Sequence, residues 1–290
     1  MFDGFRHHRI DVSQSTTINL VVGGGGPPLL LLHGCPQTLV MWHKIAPALA
    51  EKFTVIATDL RGYGDSSKPR GEPDHANYSF RTLAQDQVDV MAALGHERFM
   101  VAGHDRGARV VYRMALDHPA TVRKAAILDI LPTLTLYDET NAQFAAAYWE
   151  WFFFIQAYDF PETLIAAAAE AFLSYELGQL VSSGAVTQDA WREYLRCISD
   201  PSTVHGMCED YRAGASIDLE HDRRDLSRKI ACPLLVLWGA ENPIWERFDM
   251  LRIWRERAAT VTGEALPCGH YLAEEAPEAT LVRLRSFFAG

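Results

Sequence analysis

No stretch of about 18 consecutive apolar residues occurs in this 290-residue chain, so the sequence offers no ordinary membrane-spanning helix. Cysteine is scarce and scattered: Cys35, Cys197, Cys208, Cys232 and Cys268 are odd in number and form no C-x-x-C pair. That excludes a disulfide framework and a paired-cysteine zinc site, and it predicts reduced thiols in a cytoplasmic protein with no metal. Lysine and arginine form no run and the net charge is −10, which argues against a nucleic-acid partner. The opening residues, Met1 to His8, lack the basic and apolar regions of a secretory signal. No internal repeat or low-complexity tail is present. Apolar residues are plentiful, at 48%, enough for one large core or a core with an inserted lobe. An anionic substrate would have to be drawn in by local arginines, because the overall field opposes it.

Strand and helix patterns alternate along most of the chain, which predicts an α/β fold with a mostly parallel, eight-stranded sheet flanked by helices. Strand-like segments fall at residues 8–12, 17–22, 29–32, 54–58, 99–102, 125–128, 234–238 and 260–266. Helical spacing falls near 41–50, 80–93, 108–116, 247–258 and 277–288. Between about Pro132 and Leu226 the alternation gives way to aromatic and alanine-rich helical sequence such as Tyr148-Trp149-Glu150-Trp151-Phe152. The expected organisation is therefore a core over residues 1–131 and 227–290, with an all-helical cap over 132–226. The cap would cover the carboxyl edge of the sheet, where open α/β sheets bind their ligands.

The most informative segment is Gly103-His104-Asp105-Arg106-Gly107, between an apolar strand and a helix. Strand, glycine-flanked turn and helix form the setting of a G-x-S-x-G nucleophile elbow. Here a carboxylate, Asp105, takes the serine's place. A carboxylate that displaces a leaving group from saturated carbon forms an alkyl ester with the enzyme, which water then hydrolyses. The expected chemistry is hydrolysis at an sp3 carbon bearing a halide, or at an epoxide.

Such an elbow needs a base, an acid to orient it and an oxyanion hole. His270, in Pro267-Cys268-Gly269-His270-Tyr271, follows the last strand and is the candidate base. Asp129 and Glu241 each end a strand and are the candidate acids. Asp129 is favoured, because an unpaired carboxylate in its apolar setting would be costly. The turn His33-Gly34-Cys35-Pro36-Gln37 can supply the backbone N–H of Cys35, and the elbow that of Arg106, to the ester oxygen. The Cys35 thiol has no expected chemical role, and His33 and His104 read as scaffold. Arg106 and Arg109 both fall on the first turn of the elbow helix. Cations there oppose the helix dipole, so stability alone does not explain them. They read as a clamp for a substrate carboxylate, against the plainer reading of a salt bridge to the cap.

These motifs resemble the α/β-hydrolase superfamily and, more closely, the haloacetate (fluoroacetate) dehalogenases. The resemblance also rests on Asp59-Leu60-Arg61-Gly62-Tyr63-Gly64, Asp74 to Phe80 and Cys208-Glu209-Asp210-Tyr211-Arg212-Ala213-Gly214. It implies Asp105 as nucleophile, His270 as base for the second step and Asp129 as its partner. It implies Arg106 and Arg109 as the carboxylate clamp, and Trp151 and Tyr211 as donors to the departing halide. It also implies a homodimer that acts on a small haloacid without a cofactor.

One position departs from the pattern. The family's halide motif reads Tyr-Trp-His-Trp, whereas this chain has Tyr148-Trp149-Glu150-Trp151. An ionised glutamate only accepts hydrogen bonds. About 4 Å from a developing halide it would cost roughly 4 kcal/mol at an effective dielectric near 20, on the order of a thousandfold in rate. Three outcomes reconcile Glu150 with the pattern: burial protonates it, it turns to solvent, or fluoride is not the leaving group. The leading expectation is a dehalogenase for short 2-haloacids. An epoxide hydrolase with Tyr211 and Tyr148 as its phenols is the alternative, opposed by the unpaired charge that Arg106 would place beside a neutral substrate. A non-catalytic carboxylate-binding protein is the third reading.

Overall fold

The computed structural model describes residues 1–13 and 16–290. Eight strands form one sheet: β1 Arg6–Ser13, β2 Thr16–Gly24, β3 Pro28–Leu32, β4 Thr54–Thr58, β5 Phe99–His104, β6 Val122–Leu128, β7 Leu234–Gly239 and β8 Val261–Leu266. Their spatial order is β1-β2-β4-β3-β5-β6-β7-β8. β2 runs antiparallel to β1 and β4, and all other neighbours are parallel. Parallel strands covered on both faces read as unbroken apolar runs, and Leu29 to Leu32 and every residue of β5 are buried. The expected α/β class agrees with this sheet.

Three helices precede the insertion: α1 Ala46–Ala50, α2 Phe80–Ala93 and α3 Arg106–Asp117. The helix expected over 41–50 is instead a 3₁₀ turn, Leu39–Trp42, followed by α1. Pro47 explains the break, since its ring and missing N–H let a helix begin there but not pass through. After β6 come α4 Thr133–Asp138, α5 Ala142–Ala147, α6 Trp149–Phe154, α7 Phe160–Ala167, α8 Ala169–Ser183, α9 Gln188–Ile198, α10 Pro201–Gly214 and α11 Ile217–Arg224. Among the described residues no strand lies between β6 and β7. The chain then completes the core with α12 Met250–Arg257, α13 Leu272–Glu275 and α14 Pro277–Ala289. The helix expected from Arg247 begins instead at Met250, because the Asp249 carboxylate accepts from Arg252 N and caps it there. No single described helix is long and apolar enough to cross a membrane.

The inserted helices are fastened to the core by polar contacts. Tyr63 Oη donates to Asp210 Oδ2 at 2.7 Å, Phe80 N donates to Asp218 Oδ1 at 3.0 Å, and Asn242 Nδ2 donates to Tyr148 Oη at 3.0 Å. Because β3, β5, β6 and β8 run parallel, the segments that follow them emerge at the same edge. That edge brings Cys35, Asp105, Asp129 and His270 together beneath the insertion.

Candidate active site

Asp105 sits at the turn from β5 into α3 with φ 47° and ψ −115°. This is a strained backbone for any residue with a Cβ, and strain of about 1–3 kcal/mol persists only where the surroundings enforce it. The flanking glycines allow the turn. A Cβ on Gly103 would lie 2.4 Å from the Gly107 carbonyl oxygen, and one on Gly107 would lie 2.4 Å from that of His33. The turn pushes the Asp105 carboxyl group into a cavity of about 470 Å³. The Cys35 N–H donates to its Oδ1 at 3.0 Å, so Oδ2 is left facing the cavity's other groups. Burial alone would raise the Asp105 carboxyl, but the positive charge around it, above all of His270 and then of Arg109 and Arg106, holds it below the usual range. Asp105 is therefore an anion held among cations.

His270 lines the same cavity and donates from Nδ1 to Asp129 Oδ2 at 2.6 Å. Asp129 Oδ1 in turn accepts from Gly239 N at 2.7 Å and Trp245 Nε1 at 2.8 Å. Both carboxylate oxygens are thus occupied, and the side chain is fixed. Glu241, the other candidate acid, is exposed and makes no hydrogen bond or ion pair with His270 among the described residues. Burial would depress the imidazole. The hydrogen bond and charge of Asp129, then the charges of Asp105 and Glu150, carry it up to about 9. His104 donates from Nε2 to the His270 carbonyl at 2.8 Å, and burial holds its ring neutral with a pKa of about 3. His33 accepts from Leu60 N at Nε2, so its proton resides on Nδ1, bonded to Gly34 O. Burial and the Asp105 charge push the Cys35 thiol well up, which leaves it inert.

The two arginines have different environments. Arg106 is 1% exposed and holds Asp210 through Nε at 2.8 Å and Nη2 at 2.7 Å. Its Cζ lies 4.1 Å from the Tyr211 ring centroid. The objection to an epoxide substrate, that Arg106 would be an unpaired charge, is thereby corrected: Asp210 neutralises it. Arg109 is 2% exposed, and its Nη1 donates only to the neutral Leu131 O and Thr133 Oγ1. Its Nε is buried without a partner, and its Cζ lies 4.6 Å from the Trp151 ring centroid. Burial and the Arg106 charge press it down to about 10. Neither guanidinium belongs to the cavity wall; both lie behind the rings of Tyr211 and Trp151.

Trp151, Tyr211, Tyr148 and Glu150 line the cavity from the insertion, opposite Asp105. Glu150 is half-buried on that wall. Burial, followed by the nearby Glu176 charge, raises its carboxyl to about 8. Three contributors were missing from the sequence reading: Asp210, Trp245 and Glu176. Asp210 lay inside a quoted motif, so that motif was the available signal; nothing local to the sequence marks the other two.

The α/β hydrolase fold model matches residues 27–277. The chain belongs to the α/β-hydrolase fold family. It is 47% identical to a fluoroacetate dehalogenase of Burkholderia sp, across all of this chain and 95% of that protein. It is 32% identical to a soluble epoxide hydrolase of Corynebacterium sp. (strain C12), across all of this chain and 96% of that protein. The crystal structure of ALR0039 from Nostoc sp PCC 7120 superposes with a TM-score of 0.94 at 55% identity, covering 99% of both chains. In this α/β hydrolase the serine position of the elbow is Asp105.

Proposed function

We propose that this α/β hydrolase is a cofactor-free dehalogenase that converts a short 2-haloacid to the 2-hydroxy acid and halide. The observation that carries the reading is Arg109, a buried cation one turn along α3 from Asp105, behind the Trp151 ring and with no ion-pair partner among the described residues. A buried charge without an ion-pair partner is costly, and a substrate carboxylate that reaches it past the Trp151 ring would supply one. The 47% identity to a fluoroacetate dehalogenase supports the same substrate class.

In this reading Asp105 Oδ2 attacks the carbon bearing the halide, and the carbon–halogen electron pair leaves with the halide. Trp151 and Tyr211 donate to the departing ion. Ester formation removes the Asp105 charge, which had helped to keep the His270 imidazole protonated. His270 then loses its proton to solvent and takes one from the water that attacks the ester carbonyl. It passes that proton to the alkoxide oxygen as the ester bond breaks, and the new Asp105 carboxyl returns its own proton to His270. The N–H groups of Cys35 and Arg106 hold the oxygen that becomes negative. The Asp129 bond keeps the ring oriented, and the hydroxy acid leaves with an oxygen from Asp105.

Epoxide hydrolysis is the second reading, supported by Tyr148 and Tyr211 on the cavity wall and by the Corynebacterium relative. Chloroacetate and styrene oxide separate the two. Stoichiometric chloride and glycolate from chloroacetate support the dehalogenase. Diol from styrene oxide with no chloride from any haloacid overturns it, and binding of haloacids without turnover of either leaves a carboxylate-binding protein.

A further inference from the structure

We propose that Glu150 and Glu176 form a carboxylic-acid pair in the cavity roof, in which Glu150 donates a hydrogen bond to the departing halide and Glu176 is the positioning residue that keeps it protonated. The proposal rests on the dehalogenase reading above. Glu150 lies in the first turn of α6, next to Trp151, and Glu176 comes from α8. Both side chains line the cavity that holds Asp105 and His270. Neither forms an ion pair among the described residues, and Glu176 Oε1 is buried with no hydrogen-bond partner.

The groups that face the pair make two charges there unfavourable. Asp105 adds a third carboxylate from the elbow. Tyr148, Tyr175, Tyr211 and Tyr271 add phenols from the insertion and the loop after β8, and His270 is the one basic side chain on the wall. Two like carboxyls sharing one cavity and partly withdrawn from water resist ionising together, so one retains a proton. Burial, then the Glu176 charge, lifts Glu150 to about 8, and burial lifts Glu176 to about 7. A protonated Glu150 has the O–H that an ionised one lacks. It replaces the donor that the family's histidine would have provided.

The pair also predicts selectivity. Fluoride is a strong hydrogen-bond acceptor and a poor leaving group, so its departure depends on the donor more than chloride's does. The carbon–fluorine electron pair leaves with fluoride while the hydrogen remains on Glu150. The ratio of fluoroacetate to chloroacetate turnover then follows the protonated fraction of Glu150. Changes in His270 or Arg109 ionisation act on both substrates and cancel in that ratio.

The test measures kcat/KM for both acids from pH 6 to 10 in the wild type, Glu150→Gln and Glu176→Gln. The wild-type ratio falls roughly tenfold per pH unit above a midpoint near 8. In Glu150→Gln the ratio is flat, because an amide donates at every pH. In Glu176→Gln the midpoint moves to lower pH as the like charge is removed. A flat wild-type ratio, or a ratio in Glu150→Gln that falls like the wild type's, overturns the acid pair and leaves the dehalogenase intact. If no haloacid releases halide, the dehalogenase reading fails, and infrared titration then tests the pair alone. A protonated-carboxyl band at pH 7 that Glu150→Gln removes supports the pair; no such band overturns it.

Discussion

Arg106 and Asp210 form a buried, two-point ion pair that ties the elbow helix to α10, with Nη2 2.7 Å from Oδ1. One helical turn later Arg109 forms no ion pair among the described residues and donates only to neutral oxygens. Two arginines that look alike in sequence therefore have different energetic roles. One is neutralised by the Asp210 carboxylate and the other makes only neutral hydrogen bonds.

Asp210→Asn strands the Arg106 charge in a buried site. The expected loss is about 3–5 kcal/mol of unfolding free energy, read from urea denaturation. Wild-type stability in this variant would mean that the pair contributes no net compensation.

Arg109→Met removes a buried guanidinium that has no ion-pair partner among the described residues. Its stability should equal or exceed the wild type's by about 1–2 kcal/mol, while kcat/KM for chloroacetate falls on the order of a hundredfold or more. A variant that loses stability but keeps activity would remove Arg109 from substrate binding.

His270→Ala permits the first step and blocks the second. Intact mass after incubation with chloroacetate should show one carboxymethyl group added at Asp105, stable over many wild-type turnovers. Peptide mapping would locate it, and an unmodified protein would argue against the two-step scheme.

His270 also links stability to pH. Its folded pKa of about 9 lies above the ordinary value near 6.5, so the protonated form favours the folded state. That contribution is whole below about pH 6.5 and is lost as pH rises through about 9. It amounts to roughly 3 kcal/mol at 1.36 kcal/mol per unit. Urea unfolding between pH 6 and 10 should show the decline, flattened in Asp129→Asn. A decline of equal size in that variant would assign it to other groups.

Much of the fold was legible because parallel strands are strongly apolar and their turns carry glycine and proline. The segments 54–58 and 80–93 have the bounds that the structure gives β4 and α2. The helix over 41–50 misled because its apolar spacing outweighed Pro47. In the site, Asp105 and His270 stand out through local context: a glycine-flanked turn after a strand and a loop after the last strand. Glu176 did not, since it sits between exposed Tyr175 and buried Leu177 on α8 with no local motif, and it reaches the cavity only through the packing of the insertion. Asp210 was overlooked for a similar reason. Its partner is 104 residues away, and no spacing rule links them.

The central claim is that Asp105 bonds directly to the substrate carbon, and a single turnover in ¹⁸O-water tests it most directly. With enzyme in excess over chloroacetate, the first glycolate should carry unlabelled oxygen from the enzyme, and one Asp105 oxygen should become labelled. Glycolate that takes its new oxygen from solvent in that first turnover, with Asp105 unlabelled, would contradict the account.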